Sequence, residues 1–314
     1  MNDSELRSLI ALLDDDDPEV FQHIEQKLLS LGRQVIPFLE EEWGELKDIY
    51  HQQRLENIIH QLQLNELLQE FLAWKATKEQ DLLQGVYLIC KYRFPDYNKQ
   101  LLINAIEKLR LDVWLEMNFE MSPYEKVRII NYILYQIHGF KGNVDNYHDP
   151  SNSFINQVLE SKKGNPILLA TIYVLIAQRL NIPVYGVNLP QHFVLAYLEE
   201  IGTSYTAMRF NDIEDMLSNT GKILFYINAF NGGTIFSKTN LEQFLQQINV
   251  TANKDFLVPC SNLDMIKRIL RNLASAYQKL NKTHKQQEIM KILYALGEPP
   301  MINFQEMGDQ NSDF

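Results

Sequence analysis

The sequence predicts an α+β protein that is mostly helical: a helical N-terminal region, a core carrying a small antiparallel sheet, and a C-terminal helical hairpin. Three observations carry this. Apolar residues recur at helical spacing from the N-terminus to Gln136. The stretch Tyr147–Ala196 then reads as a short helix, a Gly164-Asn165-Pro166 turn, a strongly apolar helix, a strand led by Pro183 and a strand carrying His192. The strand-like segments after the apolar helix follow one another without an intervening helix, which favours antiparallel pairing over a parallel βαβ array.

The first helix bears Leu6, Leu9, Ile10 and Leu13, with Ser4 expected as its N-cap. Asp14–Asp17 breaks it. Pro18 suits the first position of a second helix, with Asp17 as cap and Glu19 in the first turn. That helix carries Phe21, Ile24, Leu28 and Leu31 and stops at Gly32; a third piece carries Val35, Ile36, Phe38 and Leu39. Together they resemble a single HEAT-type repeat. The aspartate run is read as capping and solvated turn in preference to a cation site.

Farther on, one helix is marked by Ile49, Ile58, Ile59 and Leu62, and another by Leu68, Phe71, Leu72 and Trp74. A third, with Leu82, Val86, Ile89 and Cys90 on one face, is ended by Pro95. Cys90 therefore reads as a small buried hydrophobe. Pro123 opens a helix through Ile137, stopped by Gly139. The loop Phe140–Pro150 holds Asp145, His148 and Asp149 close to His138, but at a spacing that fits no ligand pattern, so no metal and no cofactor is expected.

Beyond the central stretch, Thr203–Arg209 alternates weakly, Ile223–Ala229 reads as a buried strand, and Asn231-Gly232-Gly233 as a turn. A helix with Leu241, Phe244, Leu245 and Ile248 follows. From Ser261 to Leu296 two helices meet at an Asn281-Lys282 turn, resembling one tetratricopeptide-type hairpin, which must dock elsewhere to bury its face. The expected divisions are 1–62 (HEAT-like), 63–138 (helices packing on the core), 139–250 (core), 251–300 (hairpin) and 301–314 (a mobile tail).

Composition narrows the function. The chain of 314 residues is 46% hydrophobic with a net charge of −11, enough for a real core and unfavourable for nucleic acid, since no basic stripe offsets the charge. Its longest apolar run, Pro166–Ala177, is too short for a bilayer, which needs about 20 residues. No basic segment followed by an apolar one opens the chain, so no signal peptide is expected. The two cysteines, Cys90 and Cys260, form no disulfide framework. A cytoplasmic location, with no membrane and no nucleic acid as partner, is the expectation.

The central stretch resembles the transglutaminase-like superfamily, and within it the bacterial SirB-type branch. The resemblance rests on Gly139-Phe140, Gly142-Asn143, Tyr147, Asp149-Pro150, Asn152-Ser153, Asn156 and Val158-Leu159. It continues through Gly164, Pro166, Leu169, Ala177, Arg179-Leu180, Gly186-Val187, Pro190 and His192-Phe193 to Phe230-Asn231-Gly232-Gly233. It implies a papain-like core. In that superfamily a Cys-His-Asp triad places a cysteine at a helix N-terminus, which stabilises the thiolate. A histidine on a following strand moves the proton, and an aspartate orients it.

Here His192 occupies the histidine position. The cysteine position falls near Leu168, and the aspartate position at Asn228, where related sequences read Asp-Pro-Phe and this one reads Asn228-Ala229-Phe230. A leucine is no nucleophile, and an asparagine can accept the imidazole N–H but supplies no charge. The resemblance thus implies a non-catalytic module with a degraded triad, acting in protein–protein interaction or regulation. Its expected cleft is lined by Asn152, Ser153, Asn165, Pro190 and Gly232, with a protein or peptide as partner. The alternative is a hydrolase or acyl transferase using a non-cysteine nucleophile near His192, with Ser151, Ser153, Ser161 and Thr171 nearby. A structural role for His192, hydrogen-bonded to Asn228 or to backbone, is weighed beside both.

Overall fold

A computed structural model describes residues 3–14, 17–45, 48–118, 120–190, 192–199, 222–247 and 257–299. They fall into two compact units, Met1–Ala73 with Leu88–Tyr97, and Trp74–Tyr87 with Asn98–Phe314. The expected Thr203–Arg209 strand and the 301–314 tail lie outside the described residues.

In the first unit, α1 (Asp3–Ala11), α2 (Pro18–Leu31), α3 (Ile36–Glu45) and α4 (Ile49–Ala76, as far as Ala73) form a helical array. Its core joins Leu6, Ile10, Leu13, Ile24, Leu28, Val35, Leu39, Leu55, Ile58 and Leu62. Asp17 caps α2 by accepting the Glu19 N–H at 2.9 Å, with Pro18 opening the helix, and Gly32 closes it at φ +72°. Two expectations need correction. Helix α1 begins at Asp3, so Ser4 lies inside it, where its carbonyl accepts the Ser8 hydroxyl. The two helices expected from Ile49, Ile58, Ile59 and Leu62 and from Leu68, Phe71, Leu72 and Trp74 are one continuous helix, α4, because no Gly or Pro interrupts that segment.

In the second unit, α6 (Lys99–Glu116) and α7 (Pro123–Asn131) precede the core, and α5 (Leu82–Arg93) straddles the division of the chain. Ser122 and Glu125 form a reciprocal capping box at the head of α7. A π-helical turn, Tyr132–Ile137, continues α7 to His138. A two-residue parallel pair, β1 (Lys141–Gly142) with β2 (Lys163–Gly164), brackets a 3-10 turn at Pro150–Ser153 and α8 (Ile155–Ser161). A Cβ at Gly142 would lie 2.6 Å from the Phe230 ring, so the close approach there requires glycine.

The centre is α9 (Pro166–Arg179), in which every residue from Ile167 to Ala177 is buried. It packs on α6, on the sheet, and on α11 (Asn262–Lys279). All-round burial explains a helix apolar on every face. Each buried Leu or Ile there contributes about 1.5–3 kcal/mol. Among the described residues the sheet is an antiparallel meander in the order β3 (Val184–Asn188), β4 (Phe193–Leu198), β5 (Ile223–Asn228), β6 (Thr234–Phe236). Register pairs Asn188 with Phe193, Leu195 with Ile227, and Asn228 with Thr234. The mostly helical α+β class read from the sequence is thus the observed one. Helix α10 (Lys238–Gln247) seals one face of the sheet through Leu241 and Leu245. Helices α11 and α12 (Thr283–Ala295) pair across Asn281, at φ +55°, and α11 docks on α9, β3 and the Pro150–Ser153 turn.

Candidate functional site

Asn165 initiates α9. Its side-chain oxygen accepts the Leu168 N–H at 3.0 Å, and its amide donates to the Ser153 hydroxyl at 3.4 Å. Leu168 has no exposed surface, and Asn152, Ser153 and Asn165 are buried beside it. Asn152 organises the preceding loop. Its amide donates to the carbonyls of Asn146 (2.7 Å) and Tyr147 (3.2 Å), and its oxygen accepts from Asn143 at 2.8 Å. Ser153 belongs to the 3-10 turn. The polar side chains at the head of α9 are therefore spent on holding the turn and the helix start.

Asn228 ends β5. Its side-chain oxygen accepts the N–H groups of Phe230 (3.1 Å) and Asn231 (3.2 Å), and its carbonyl accepts Gly233 N–H at 2.9 Å. This turn is held from α7 and the π-helical turn. The Asn131 amide donates to the Gly233 carbonyl at 2.8 Å, and the Tyr135 hydroxyl to the Ala229 carbonyl at 2.8 Å. Burial pushes the Tyr135 hydroxyl pKa up, so it stays a neutral donor. Gly232 is exposed and Gly233 buried, both with positive φ.

His192 is half-buried at the start of β4, next to Pro190. Its ring meets Phe244 of α10 edge-on at 4.8 Å. Its backbone N–H donates to the Leu189 carbonyl at 3.3 Å. No hydrogen bond joins His192 to Asn228 among the described residues. Burial, then the neighbouring Arg268 cation, holds the imidazole below its ordinary value of 6.5, so it is neutral at pH 7. Arg268 of α11 donates through Nη1 to Asn188 Oδ1 (3.1 Å) and to the Leu189 carbonyl (3.2 Å). Arg268 joins Asn188 and the Leu189 carbonyl beside Pro190 and His192, and Asn152, Ser153, Asn165 and Leu168 gather at the head of α9. Arg268, Asn188 and Phe244 carry no motif, so the spacing of residues could not single them out.

Both histidines weighed as metal ligands have side-chain partners. His138 Nε2 lies 2.7 Å from Asp112, and His148 Nε2 lies 2.7 Å from Lys279 Nζ. Cys90 is buried, as expected. Cys260 donates its backbone N–H to Gly186, and burial pushes its thiol pKa well above the ordinary range. Tyr173 and Tyr197 are core residues with no exposed surface.

The core is a set of helices packed on an antiparallel sheet, with His192 immediately before β4. Residues 100–271 match the model of the transglutaminase-like superfamily, and the chain belongs to that superfamily. It is 30% identical over 211 residues to a UPF0162 protein of Xylella fastidiosa strain 9a5c, covering 64% of this chain and 66% of the relative. A UPF0162 protein of Vibrio cholerae is 29% identical over 167 residues, 52% of this chain and 53% of that one. F-box only protein 21 of Mus musculus is 32% identical over 146 residues, 46% of this chain and 21% of the relative. The chain thus spans just under two thirds of the Xylella protein. No solved structure matches it. Among the described residues, no helix is long and apolar enough to cross a membrane.

Proposed function

We propose that this chain is a non-catalytic transglutaminase-like module of the SirB-type branch, acting in protein–protein interaction or regulation in the cytoplasm. The observation that carries this is the head of α9. The residue read as the nucleophile position, Leu168, is an apolar side chain with no exposed surface, and no cysteine lies between Cys90 and Cys260. Asn228, read as the aspartate position, commits its oxygen to two backbone N–H groups of its own turn, so it does not orient His192. The likeness to F-box only protein 21 supports a module, since the shared segment is 21% of that protein and recurs inside a longer chain. The helices before residue 63 read as HEAT-like, and α11–α12 as a tetratricopeptide-like hairpin. Repeats of that kind present extended faces to protein partners.

In this reading Asn152, Ser153 and Asn165 frame the site, and His192 with Pro190 offers the accessible part of it; Gly232 stands exposed on the neighbouring turn. The test compares wild type with His192→Ala on a panel of amide and ester substrates. The expected result is no turnover above the variant's background. Turnover that His192→Ala removes would instead establish the hydrolase or acyl transferase.

A further inference from the structure

The guanidinium of Arg268 is half-buried, yet its charge has no carboxylate within 4 Å among the described residues. Only Nη1 is hydrogen-bonded there, to two neutral oxygens, Asn188 Oδ1 and the Leu189 carbonyl. The Nε and Nη2 groups, which form one two-donor edge of the guanidinium, have no partner among the described residues. That edge matches the two oxygens of a carboxylate. A cation removed from water without a counter-charge is unfavourable unless something supplies one. Its charged neighbour is another cation, Arg271; burial first, and then that cation, hold the Arg268 pKa below its ordinary value. Arg271 itself is answered by Glu298 at 2.5 Å. Although the chain carries a net charge of −11, no carboxylate among the described residues answers Arg268.

His192 stands at the same corner. The Leu189 carbonyl accepts both the Arg268 Nη1–H and the His192 backbone N–H, which ties the guanidinium to the base of the imidazole. Phe244 closes one side of the ring edge-on. The corner thus presents a rigid planar cation, a neutral imidazole and an aromatic wall.

We propose that Arg268 and His192 form a binding corner for a carboxylate carried by an acidic peptide segment of a protein partner. Arg268 takes the carboxylate along its Nε–Nη2 edge, and the imidazole of His192 supplies a further hydrogen bond. This rests on the reading of the chain as a protein-binding module.

The test is fluorescence anisotropy with the full chain and a fluorescein-labelled, C-terminally amidated hexaglutamate peptide, with hexaglutamine as the neutral control. The expected result is saturable binding of hexaglutamate alone, weakened about tenfold or more by Arg268→Gln, as loss of a charge-assisted pair requires. Arg268→Lys keeps the charge without the fork and gives a smaller loss, so the test survives if the glutamine variant fails to fold. Lys282→Gln, an exposed charge change away from the corner, leaves binding unchanged. Absence of hexaglutamate binding, or binding indifferent to both Arg268 variants, overturns the proposal. Displacement of the peptide by inorganic phosphate at lower concentration than by acetate reassigns the corner to phosphoryl groups and also overturns it. Equal binding of both peptides, lost in His192→Ala, overturns the carboxylate corner while leaving the binding module standing. The turnover assay judges the module separately.

Discussion

The side-chain oxygen of Asn165 accepts the backbone N–H of Leu168 at 3.0 Å. In the proposed reading, this helix N-terminus is the place where a catalytic thiolate would be stabilised. Here an asparagine satisfies the helix end, and the residue three positions on is apolar and sealed. Asn165→Ala should therefore cost about 0.5–2 kcal/mol of stability, the usual worth of an N-cap, with Asn165→Asp recovering most of it. Urea denaturation checks this; an unchanged midpoint in the alanine variant would mean that the cap contributes nothing.

A cysteine placed at Leu168 should stay shielded. In Leu168→Cys the new thiol inherits a site with no exposed surface. Iodoacetamide labelling followed by peptide mapping should find the introduced thiol modified far more slowly in the native protein than in urea. Native labelling at the rate of a free thiol would show that the head of α9 opens to solvent. Leu168→Ala, which leaves a cavity, should cost about 2–5 kcal/mol.

Gly232 and Gly233 both adopt positive φ, at +59° and +72°, but differ in surroundings. A Cβ at Gly232 meets open space, whereas one at Gly233 collides with the Asn131 amide. Gly232→Ala should cost about 1–2 kcal/mol for backbone strain alone, and Gly233→Ala more. Asn131→Ala removes the collision, so Gly233→Ala should cost less in that background than in wild type. A double-mutant cycle by thermal unfolding reads the coupling; additive effects would contradict the contact.

Protonation of His192 should weaken the fold. Its folded-state pKa lies below the ordinary 6.5 because burial and Arg268 disfavour the charged ring. Below 6.5 the unfolded chain binds more protons at this position than the folded one. Its stability contribution is therefore complete above 6.5 and is lost as pH falls from there towards the depressed folded value. Stability measured from about pH 7.5 to about pH 5 in wild type and His192→Gln should diverge in that direction, wild type showing the steeper loss. Parallel curves would mean that the ring is freely solvated.

Much of the fold was legible because its signals are local. Asp17-Pro18, Ser122-Pro123 and Asn165-Pro166 are helix starts whose caps act within three residues. The apolar run of α9 and the Asn231-Gly232-Gly233 turn carry their own periodicity and backbone requirements. Ser4 misleads, because its helix starts earlier than the best capping residue, and so do the apolar stripes Ile49–Leu62 and Leu68–Trp74, which belong to one long helix. Apolar spacing alone does not mark a helix end; the absence of Gly or Pro between Leu62 and Leu68 is the signal for a continuous helix.

The sequence by itself determined the α+β class, the superfamily pattern and the absence of cysteine near the head of α9, since each follows from residue identity and short-range order. The tertiary structure alone decided what the polar residues do. It turned Asn228 inward to its own turn, buried Asn152, Ser153 and Asn165 as framework, and brought Arg268 to the base of His192. A side chain's partners depend on which distant elements arrive beside it. For Arg268 those are β3 and the Leu189 carbonyl, 79 positions earlier in the chain, and no local pattern encodes that meeting.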